Sequence, residues 1–148
     1  MIYDINSKII NEKTLPPALF LGYEVGDGLD GVVALSPVYF DSSHKINAYI
    51  LSALAVHRSH RKKGIASKLV ERSKADLISA GVDMMFVYGD PNYYGKFGFE
   101  IELAKQFIPP YPLKFEFGCM CSVLKFPFLF IIAHIPEHFT FCGLNIQP

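Results

Sequence analysis

The stretch AVHRSHRKKGIASKL, residues 55–69, decides the fold because an apolar strand pattern changes there into a helical pattern. It also holds five of the chain's fourteen Lys and Arg residues and no acidic residue. The five cations are Arg58, Arg61, Lys62, Lys63 and Lys68. Such a concentration of charge in a chain of zero net charge predicts a binding site for an anion.

The segments on either side of this basic run have different periodicities. NAYILSALAV, residues 47–56, is too apolar for a half-exposed strand and predicts a central one. From Gly64 onward the apolar residues recur at helical spacing, which predicts an amphipathic helix that ends near Gly81. The residues on this spacing are Ile65, Ala66, Leu69, Val70, Leu77 and Ile78.

A loop that enters a helix is suited to phosphate, because the first helical turn presents unpaired N–H groups and the positive end of the dipole. Gly64 lets the backbone approach a pyrophosphate, and Ala66 is small enough not to block it. By itself, however, a basic run at a strand-to-helix turn is more often a solvated surface.

The remaining segments extend an α/β pattern in both directions. Residues 18–25 (ALFLGYEV) and 31–40 (GVVALSPVYF) predict two strands of a hairpin, joined by the Gly and Asp residues between them. Residues 84–90 (MMFVYGD) predict a short buried strand, and residues 91–97 (PNYYGKF) a second helix with Pro91 in its first turn.

The two ends of the chain are less regular. Residues 4–13 (DINSKIINEK) predict a short helix that ends at the following prolines. The final third, from residue 115, is strand-like, with prolines at the bends. We expect one domain over residues 1–148, with a Phe-rich C-terminal extension from about residue 126.

Composition excludes several classes of protein. Hydrophobic residues make up 51% of the 148, and charged residues 19%, so the chain is neither disordered nor a broadly basic coat protein. Three cysteines without a signal-like start favour a reducing, cytoplasmic location. The run Phe128–Ala133 is far shorter than the roughly 20 apolar residues of a membrane helix, so no membrane partner is expected.

Two motifs of the chain resemble those of the GNAT superfamily of N-acetyltransferases. Residues 54–66 are similar to its acetyl-CoA loop, an apolar strand followed by Gln/Arg-x-x-Gly-x-Gly/Ala, and residues 87–100 are similar to its second signature, Tyr-x-x-x-Gly-Phe. The positions that match are Arg61, Gly64 and Ala66 in the first motif and Tyr94, Gly98 and Phe99 in the second. The Gly-Asp-Pro-x-Tyr-Tyr version resembles the YhbS-like branch, and the resemblance covers roughly residues 18–125.

The resemblance implies a GNAT-like acyl-CoA N-acyltransferase fold, an α/β fold whose central mixed sheet is flanked by helices. It implies transfer of an acetyl group from acetyl-CoA to a primary amine, on a small molecule or a peptide, by direct attack. It implies that no metal takes part in this reaction. The runner-up is a non-catalytic CoA-binding or partner-binding domain.

Family roles then fall on particular residues. Backbone groups of Leu54, Ala55 and Val56 would hold the pantetheine arm and the thioester, and Asn92 would touch the cofactor. Backbone N–H groups would hold the pyrophosphate, while Arg61 and the neighbouring lysines attract the anionic cofactor. The residues that supply these N–H groups are Lys62, Lys63, Gly64, Ile65, Ala66 and Ser67.

Tyr94 matches the family's general acid. A departing thiolate needs a proton, and a phenol with a pKa of about 10 can donate one to a thiol with a pKa of about 8.5 without prior ionisation. The alternative is that Tyr93, Tyr94 and Phe97 form only the apolar face of a short helix. We expect Tyr94 to be the acid and Tyr93 to pack.

The general base stays open. Tyr88, His57, His44 and Glu24 acting through water are candidates, and the sequence does not choose among them.

The segment before residue 18 is shorter than the strand and helix with which the family usually starts. We therefore expect the strand at residues 18–25 to lie at or near an exposed sheet edge. A second copy of the chain, in a homodimer, or the segment Phe126–Phe141 would cover it.

Three other patterns carry less weight. HIPEH, residues 134–138, matches a reversed zinc-protease signature, but Pro136 disfavours the required helix, and a surface turn is expected instead. Cys119 and Cys121 lie on one side of a predicted strand and are expected to be buried and reduced. The basic run lacks interleaved aromatic residues, so no nucleic-acid partner is expected.

Overall fold

The chain forms a mixed β-sheet with helices on both faces. The computed structural model describes residues 2–4, 18–41, 45–109, 112–125 and 139–142. The strands are β1 (Ile2–Asp4), β2 (Leu19–Val25), β3 (Gly28–Asp41), β4 (Ala48–Val56), β5 (Met84–Tyr88), β6 (Phe107–Ile108), β7 (Cys119–Val123) and β8 (Phe139–Cys142). The α-helices are α1 (Ile65–Ser79), α2 (Pro91–Tyr94) and α3 (Ile101–Ala104), and short 3-10 turns lie at Arg58–His60, Gly95–Phe97 and Glu116–Gly118.

The strands of the main path lie in the order β1-β2-β3-β4-β5-β7. β4 and β5 are parallel, and the other neighbours on this path are antiparallel. The C-terminal end of β3 pairs with β8, which also pairs with β6. The predicted central strand is therefore confirmed as β4, and the predicted hairpin as β2 and β3 with Gly26 at φ +71° in the turn.

Helix α1 packs on one face of this sheet. Its apolar residues join the larger core cluster, in which Leu69, Val70 and Leu77 have no exposed surface. Gly31 on β3 allows the close approach, because a Cβ there would lie 2.7 Å from Ile65 Cγ2. The helix prediction is confirmed, except that Ile78 is 52% exposed and lies outside the core face.

The opposite face has its own, smaller apolar cluster. Ala104 of α3 and Phe107 of β6 cover Phe86 of β5 there, and the rings of Phe86 and Phe107 meet edge to face with centroids 5.1 Å apart. Edge-to-face contact is a favoured geometry for aromatic pairs. The sheet is thus sandwiched between α1 on one face and the segment of α3 and β6 on the other.

Expectations about the ends of the sheet have partial outcomes. The strand β2 lies next to β1, the first strand of the main path, so it is near the edge of the sheet but does not form that edge. Asp4, the first residue of the expected N-terminal helix, is in β1, and residues 5–13 of that helix lie outside the described residues. In the C-terminal segment, Phe139–Cys142 pairs with β3 and β6, and residues 126–138 lie outside the described residues. The homodimer stays a prediction.

Other sequence expectations have mixed outcomes. Cys121 is fully buried and Cys119 partly so, both as free thiols, and burial raises the pKa of each.

His44 and residues 134–138 lie outside the described residues. Among the helices that the structure describes, none has the length and apolarity to cross a membrane.

Candidate active site

The candidate site is a notch where β4 and β5 separate. The two strands pair only from Ala48 with Met84 to Leu51 with Val87. Beyond Leu51, β4 continues to Val56 and pairs with β3 alone, among the described strands. The backbone of Leu54, Ala55 and Val56, predicted to hold the cofactor arm, therefore has one edge open towards the notch.

A β-bulge bends β4 at the mouth of this notch. The pairing of β3 with β4 shifts between Ala34 and Leu35, so Ser52 is an extra residue on β4. The Ser52 hydroxyl donates a hydrogen bond to the Ala34 carbonyl at 3.1 Å, which holds the bulge in place. The bend begins one residue after the last pair with β5.

The predicted anion loop lies at the end of β4. Lys62 and Gly64 both have left-handed backbone conformations, with φ of 61° and 78°. The first helical bond of α1 runs from Lys68 N–H to the Gly64 carbonyl at 3.0 Å, so the N–H groups of Ile65, Ala66 and Ser67 precede it and have no helical acceptor. Nothing lies within 4 Å of a Cβ placed on Gly64, so the space above the loop is open.

The cations of the loop do not all point at that space. Arg61 Nε donates to the Val56 carbonyl at 3.2 Å and ties the loop to the end of β4. Lys62 and Lys63 are exposed and form no ion pair with a described residue. Lys62 and Lys63 can therefore attract an anion, while Arg61 shapes the loop.

A buried acid beneath the loop was not anticipated from the sequence. Asp30 on β3 is 8% exposed and its Oδ1 lies 2.5 Å from His60 Nδ1. Burial works to raise the Asp30 pKa, but the hydrogen bonds from His60 and from the Val25 N–H outweigh it and lower the pKa. The Asp30 carbonyl also accepts from His57 N–H at 2.7 Å, so β3 fixes the first turn of the loop.

Tyr94 lies just beyond the end of β5. Its ring packs on Gly89, where a Cβ would lie 2.5 Å from Tyr94 Cε2, and it meets the Phe99 ring edge to face at 6.0 Å. Burial, followed by the neighbouring Tyr93, raises the pKa of Tyr94. The phenol is therefore protonated at neutral pH and able to donate.

The turn that carries Tyr94 starts with a capped helix. The Asp90 side chain accepts from Asn92 N–H at 2.9 Å, and Pro91 occupies the first turn, as predicted. Asn92 itself is exposed. The Tyr93 hydroxyl is buried and has no hydrogen-bond partner among the described residues, and its ring packs on Phe97 with centroids 5.5 Å apart.

Lys74 connects α1 to this turn. Its Nζ donates to the Phe97 carbonyl at 2.5 Å and to Ser122 Oγ at 2.9 Å, and it lies 5.2 Å from the centre of the Phe99 ring. Burial lowers the pKa of Lys74. No local pattern in the sequence signals this role for Lys74, because its partners Phe97 and Ser122 lie 23 and 48 residues away in the chain.

Three of the four candidate bases lie among the described residues, each in a different part of the sheet. Glu24 lies on β2, two strands away from the notch. His57 follows β4 directly and is exposed, and its Nδ1 lies 2.7 Å from Ser59 Oγ. Tyr88 ends β5, and its hydroxyl accepts from Phe115 N–H at 3.0 Å. Of these three, His57 and Tyr88 border the notch.

Comparison with known proteins identifies the family. Residues 16–101 match the model of the acetyltransferase (GNAT) domain. Because the match spans more than half of the 148 residues, the chain belongs to the GNAT acetyltransferase family. The predicted mixed-sheet fold and the family resemblance are both confirmed.

Two solved structures illustrate the likeness. The GNAT family N-acetyltransferase YhbS from Escherichia coli, solved in complex with CoA, is 24% identical with a TM-score of 0.70, over 84% of this chain and 67% of that one. A GNAT family acetyltransferase from Brucella melitensis, solved with acetyl-CoA, is 26% identical with a TM-score of 0.57, over 72% of this chain and 58% of that one. No curated protein sequence matches this chain.

Proposed function

We propose that this protein is an acetyl-CoA-dependent N-acetyltransferase. The observation that carries the proposal is the combination of three features on neighbouring elements: the open edge of β4, the free N–H groups at the start of α1, and the protonated Tyr94 just beyond the end of β5. Anion binding, strand-like pairing with an extended ligand and proton donation are the three tasks that the reaction requires. The neighbours solved with CoA and acetyl-CoA support the choice of cofactor.

The residues of the loop fit a pyrophosphate. The space above Gly64 is open, and N–H groups of Ile65, Ala66 and Ser67 are available at the positive end of a 15-residue helix. Lys62 and Lys63 add positive charge that favours capture and is weakened by salt. The open backbone edge of Leu54, Ala55 and Val56 is suited to the amide groups of the pantetheine arm.

Acetyl-CoA supplies an acetyl thioester, which the amine attacks directly so that the acetyl carbon exchanges its sulfur for nitrogen. Tyr94 gives its phenolic proton to the departing sulfur. The nitrogen loses its proton to solvent or to a base, for which His57, at the end of β4, and Tyr88, at the end of β5, are candidates. Asp30 acts on the loop indirectly, by holding His60 and the His57 N–H.

The experiment that tests the proposal is turnover with a panel of amines, read as release of free thiol from acetyl-CoA. We expect amine-dependent release for at least one primary amine and none without amine. A non-catalytic CoA-binding domain would show a rise in melting temperature with CoA and no amine-dependent thiol release. That outcome would overturn the enzymatic proposal and leave the binding site in place.

A further inference from the structure

Three side chains with metal-ligating atoms lie together where β3 meets the loop between β4 and α1. They are Asp30 of β3 and His57 and His60 of the loop, and one ligand atom of each lies within 4.8 Å of the other two. Two imidazoles and one carboxylate form a donor set that suits Zn²⁺, and three protein ligands with an open fourth position are common at zinc. The transfer reaction proposed above does not use these three side chains as a unit.

The backbone places the two histidines on one side of a short turn. His57 caps the 3-10 turn Arg58–His60, and the His60 N–H donates to the His57 carbonyl at 2.9 Å. Residues three apart lie one above the other in such a turn, because it has three residues per turn. The centroids of the two rings are accordingly 6.2 Å apart, with 54° between the ring planes. Ring nitrogens of both residues can therefore reach one ion.

Asp30 supplies a carboxylate whose orientation is already fixed. The residue is 8% exposed, its Oδ2 accepts from the Val25 N–H at 2.8 Å, and its Oδ1 lies 2.5 Å from His60 Nδ1. Hydrogen bonds from neighbouring groups commonly orient the ligands of a metal site. The Asp30 carbonyl also accepts from the His57 N–H at 2.7 Å, which joins the main chain of β3 to the start of the loop. The three ligands are therefore held together before an ion binds.

Small side-chain movements bring these ligands to bonding distances. Zinc binds nitrogen and oxygen at about 2.0–2.2 Å in a tetrahedron, so its ligand atoms lie roughly 3.3 Å from one another. Asp30 Oδ1 and His60 Nδ1 are closer than this, and the widest separation in the cluster is at most 4.8 Å. Movements of roughly 1–1.5 Å satisfy both requirements. The exposed side chain of His57 and that of His60, 26% exposed, have room for them.

The cations of the loop oppose a metal ion to a limited extent. Arg58, Arg61, Lys62 and Lys63 are exposed, so water and salt screen their repulsion of the ion. Asp30 supplies one negative charge within the cluster, and neutral imidazoles bind a metal without adding charge. We therefore expect weaker Zn²⁺ binding than at structural sites with four ligands.

We infer that Asp30, His57 and His60 form a Zn²⁺ site that fixes the start of the loop to β3. The ion takes no part in acetyl transfer, and the inference does not depend on the proposed function. Its effect is to replace the hydrogen bond between Asp30 and His60 with metal–ligand bonds, which stabilise the loop that precedes α1. While Zn²⁺ is bound, His57 is not available as the base of the proposed reaction.

Competition for Zn²⁺ between the full chain and a chromogenic chelator tests the inference. The measurement is made without CoA, whose phosphates also bind metal ions, and with a reductant that lacks thiols. We expect the wild-type protein to bind one Zn²⁺ at this site. Zn²⁺ at about 100 times its dissociation constant should raise the melting temperature by about 5–10 °C.

His57→Gln and His60→Gln should each lower the affinity for Zn²⁺ at least about tenfold, because losing a ligand costs no less than losing a group that orients one. His57→Gln is the sharper variant, since it leaves the pair of Asp30 and His60 intact and should hardly change the melting temperature without metal. The matched control is the double variant His134→Gln/His138→Gln, in the HIPEH sequence outside the described residues. It should bind Zn²⁺ as tightly as the wild type.

Cysteine thiolates are the competing ligands, because they also bind zinc. Co²⁺ in place of Zn²⁺ distinguishes them, since a thiolate ligand adds a charge-transfer band that nitrogen and oxygen ligands do not give. We expect no such band. The inference is overturned if the wild-type protein binds no Zn²⁺, if His57→Gln and His60→Gln bind it as tightly as the wild type, if the double variant loses it, or if the thiolate band is present.

Discussion

At the scale of single residues, the proposed chemistry depends on Tyr94. Packing against Gly89 and Phe99 leaves its ring half-buried, and burial raises the pKa of the phenol. A raised pKa keeps the proton on the oxygen across the neutral range, so the group is suited to donate and not to accept. The adjacent Tyr93 has the same side chain in a different setting, which makes the pair a natural comparison.

Tyr94→Phe should lower kcat by about 10²- to 10⁴-fold, the usual contribution of general acid catalysis. The ring and its packing are kept, so the rise in melting temperature given by acetyl-CoA should change little. Initial rates of thiol release across pH 6 to 9, with an amine from the panel, measure the effect.

Tyr93→Phe is the control for this change. Its hydroxyl is buried without a described partner, so removing it should leave turnover unchanged and stability equal or slightly higher. Equal, small losses of turnover in the two variants would make Tyr94 structural and place the proton donor elsewhere. Loss of acetyl-CoA binding in Tyr94→Phe would assign the phenol to holding the thiol end.

At the scale of elements, the loop between β4 and α1 and the tie from α1 to the Tyr94 turn are the two features that prepare the site. The Asp30 carbonyl accepts a hydrogen bond from the His57 N–H at the start of the loop, and Arg61 donates one to the Val56 carbonyl. The turn is held by Lys74, whose ammonium reaches both the Phe97 carbonyl and β7. Each element can be tested with a variant and a matched control.

Gly64→Glu should abolish the acetyl-CoA-dependent rise in melting temperature, because it places a negative charge at the proposed pyrophosphate site. Gly64→Ala is the control: both variants bear the cost of about 1 kcal/mol for a left-handed residue at φ 78°, but only glutamate repels the phosphates. Thermal melts with and without acetyl-CoA measure both. A full ligand-induced rise in Gly64→Glu would remove the loop from the binding site.

Lys74→Met should lower the free energy of unfolding by about 1–3 kcal/mol, because two charge-assisted hydrogen bonds are lost while the apolar stem is kept. Lys68→Met, on an exposed residue of the same helix, should cost less than about 0.5 kcal/mol. Denaturant titrations at pH 7 measure both changes. Similar costs for the two variants would contradict the role assigned to Lys74.

The direction of the Lys74 pKa shift determines how the stability difference between the wild-type protein and Lys74→Met changes with pH. Burial lowers the Lys74 pKa in the folded protein, so between that pKa and the ordinary value of 10.5 the unfolded chain binds more protons. The stability of the wild-type protein relative to Lys74→Met should therefore increase as the pH rises through this window. A difference that shrinks with rising pH would show that the charged form is the one that the fold favours.

At the scale of the whole molecule, ligand binding and folding are coupled. Acetyl-CoA at about 100 times its dissociation constant should add ~2.7 kcal/mol to the free energy of unfolding. For a chain of this size the melting temperature should rise by about 5–10 °C. The rise should shrink with added salt, because the basic loop is exposed and screened. A melting temperature that does not respond to acetyl-CoA would reject the cofactor assignment.

Local patterns in the sequence were sufficient for the framework of the fold and for part of the candidate site. The helical spacing after Gly64 predicted α1, the apolar run at residues 47–56 predicted the central strand, and the two motifs predicted the family. These features are short-range: a helix, a turn or a capped loop is encoded by residues within a few positions of one another. Tyr94 and the loop were predicted for the same reason, and their roles stay predictions.

Only the tertiary structure decided which distant residues meet. β1 pairs with β2 and lies outside it in the sheet, the buried Asp30 meets His60 across 30 residues, and Lys74 reaches Ser122 across 48. The notch itself exists because β4 continues to Val56 beyond Leu51, the last residue that pairs with β5. Such contacts depend on strand order and on packing between segments that are far apart in the chain. The periodicity within one segment does not predict which distant segment it contacts.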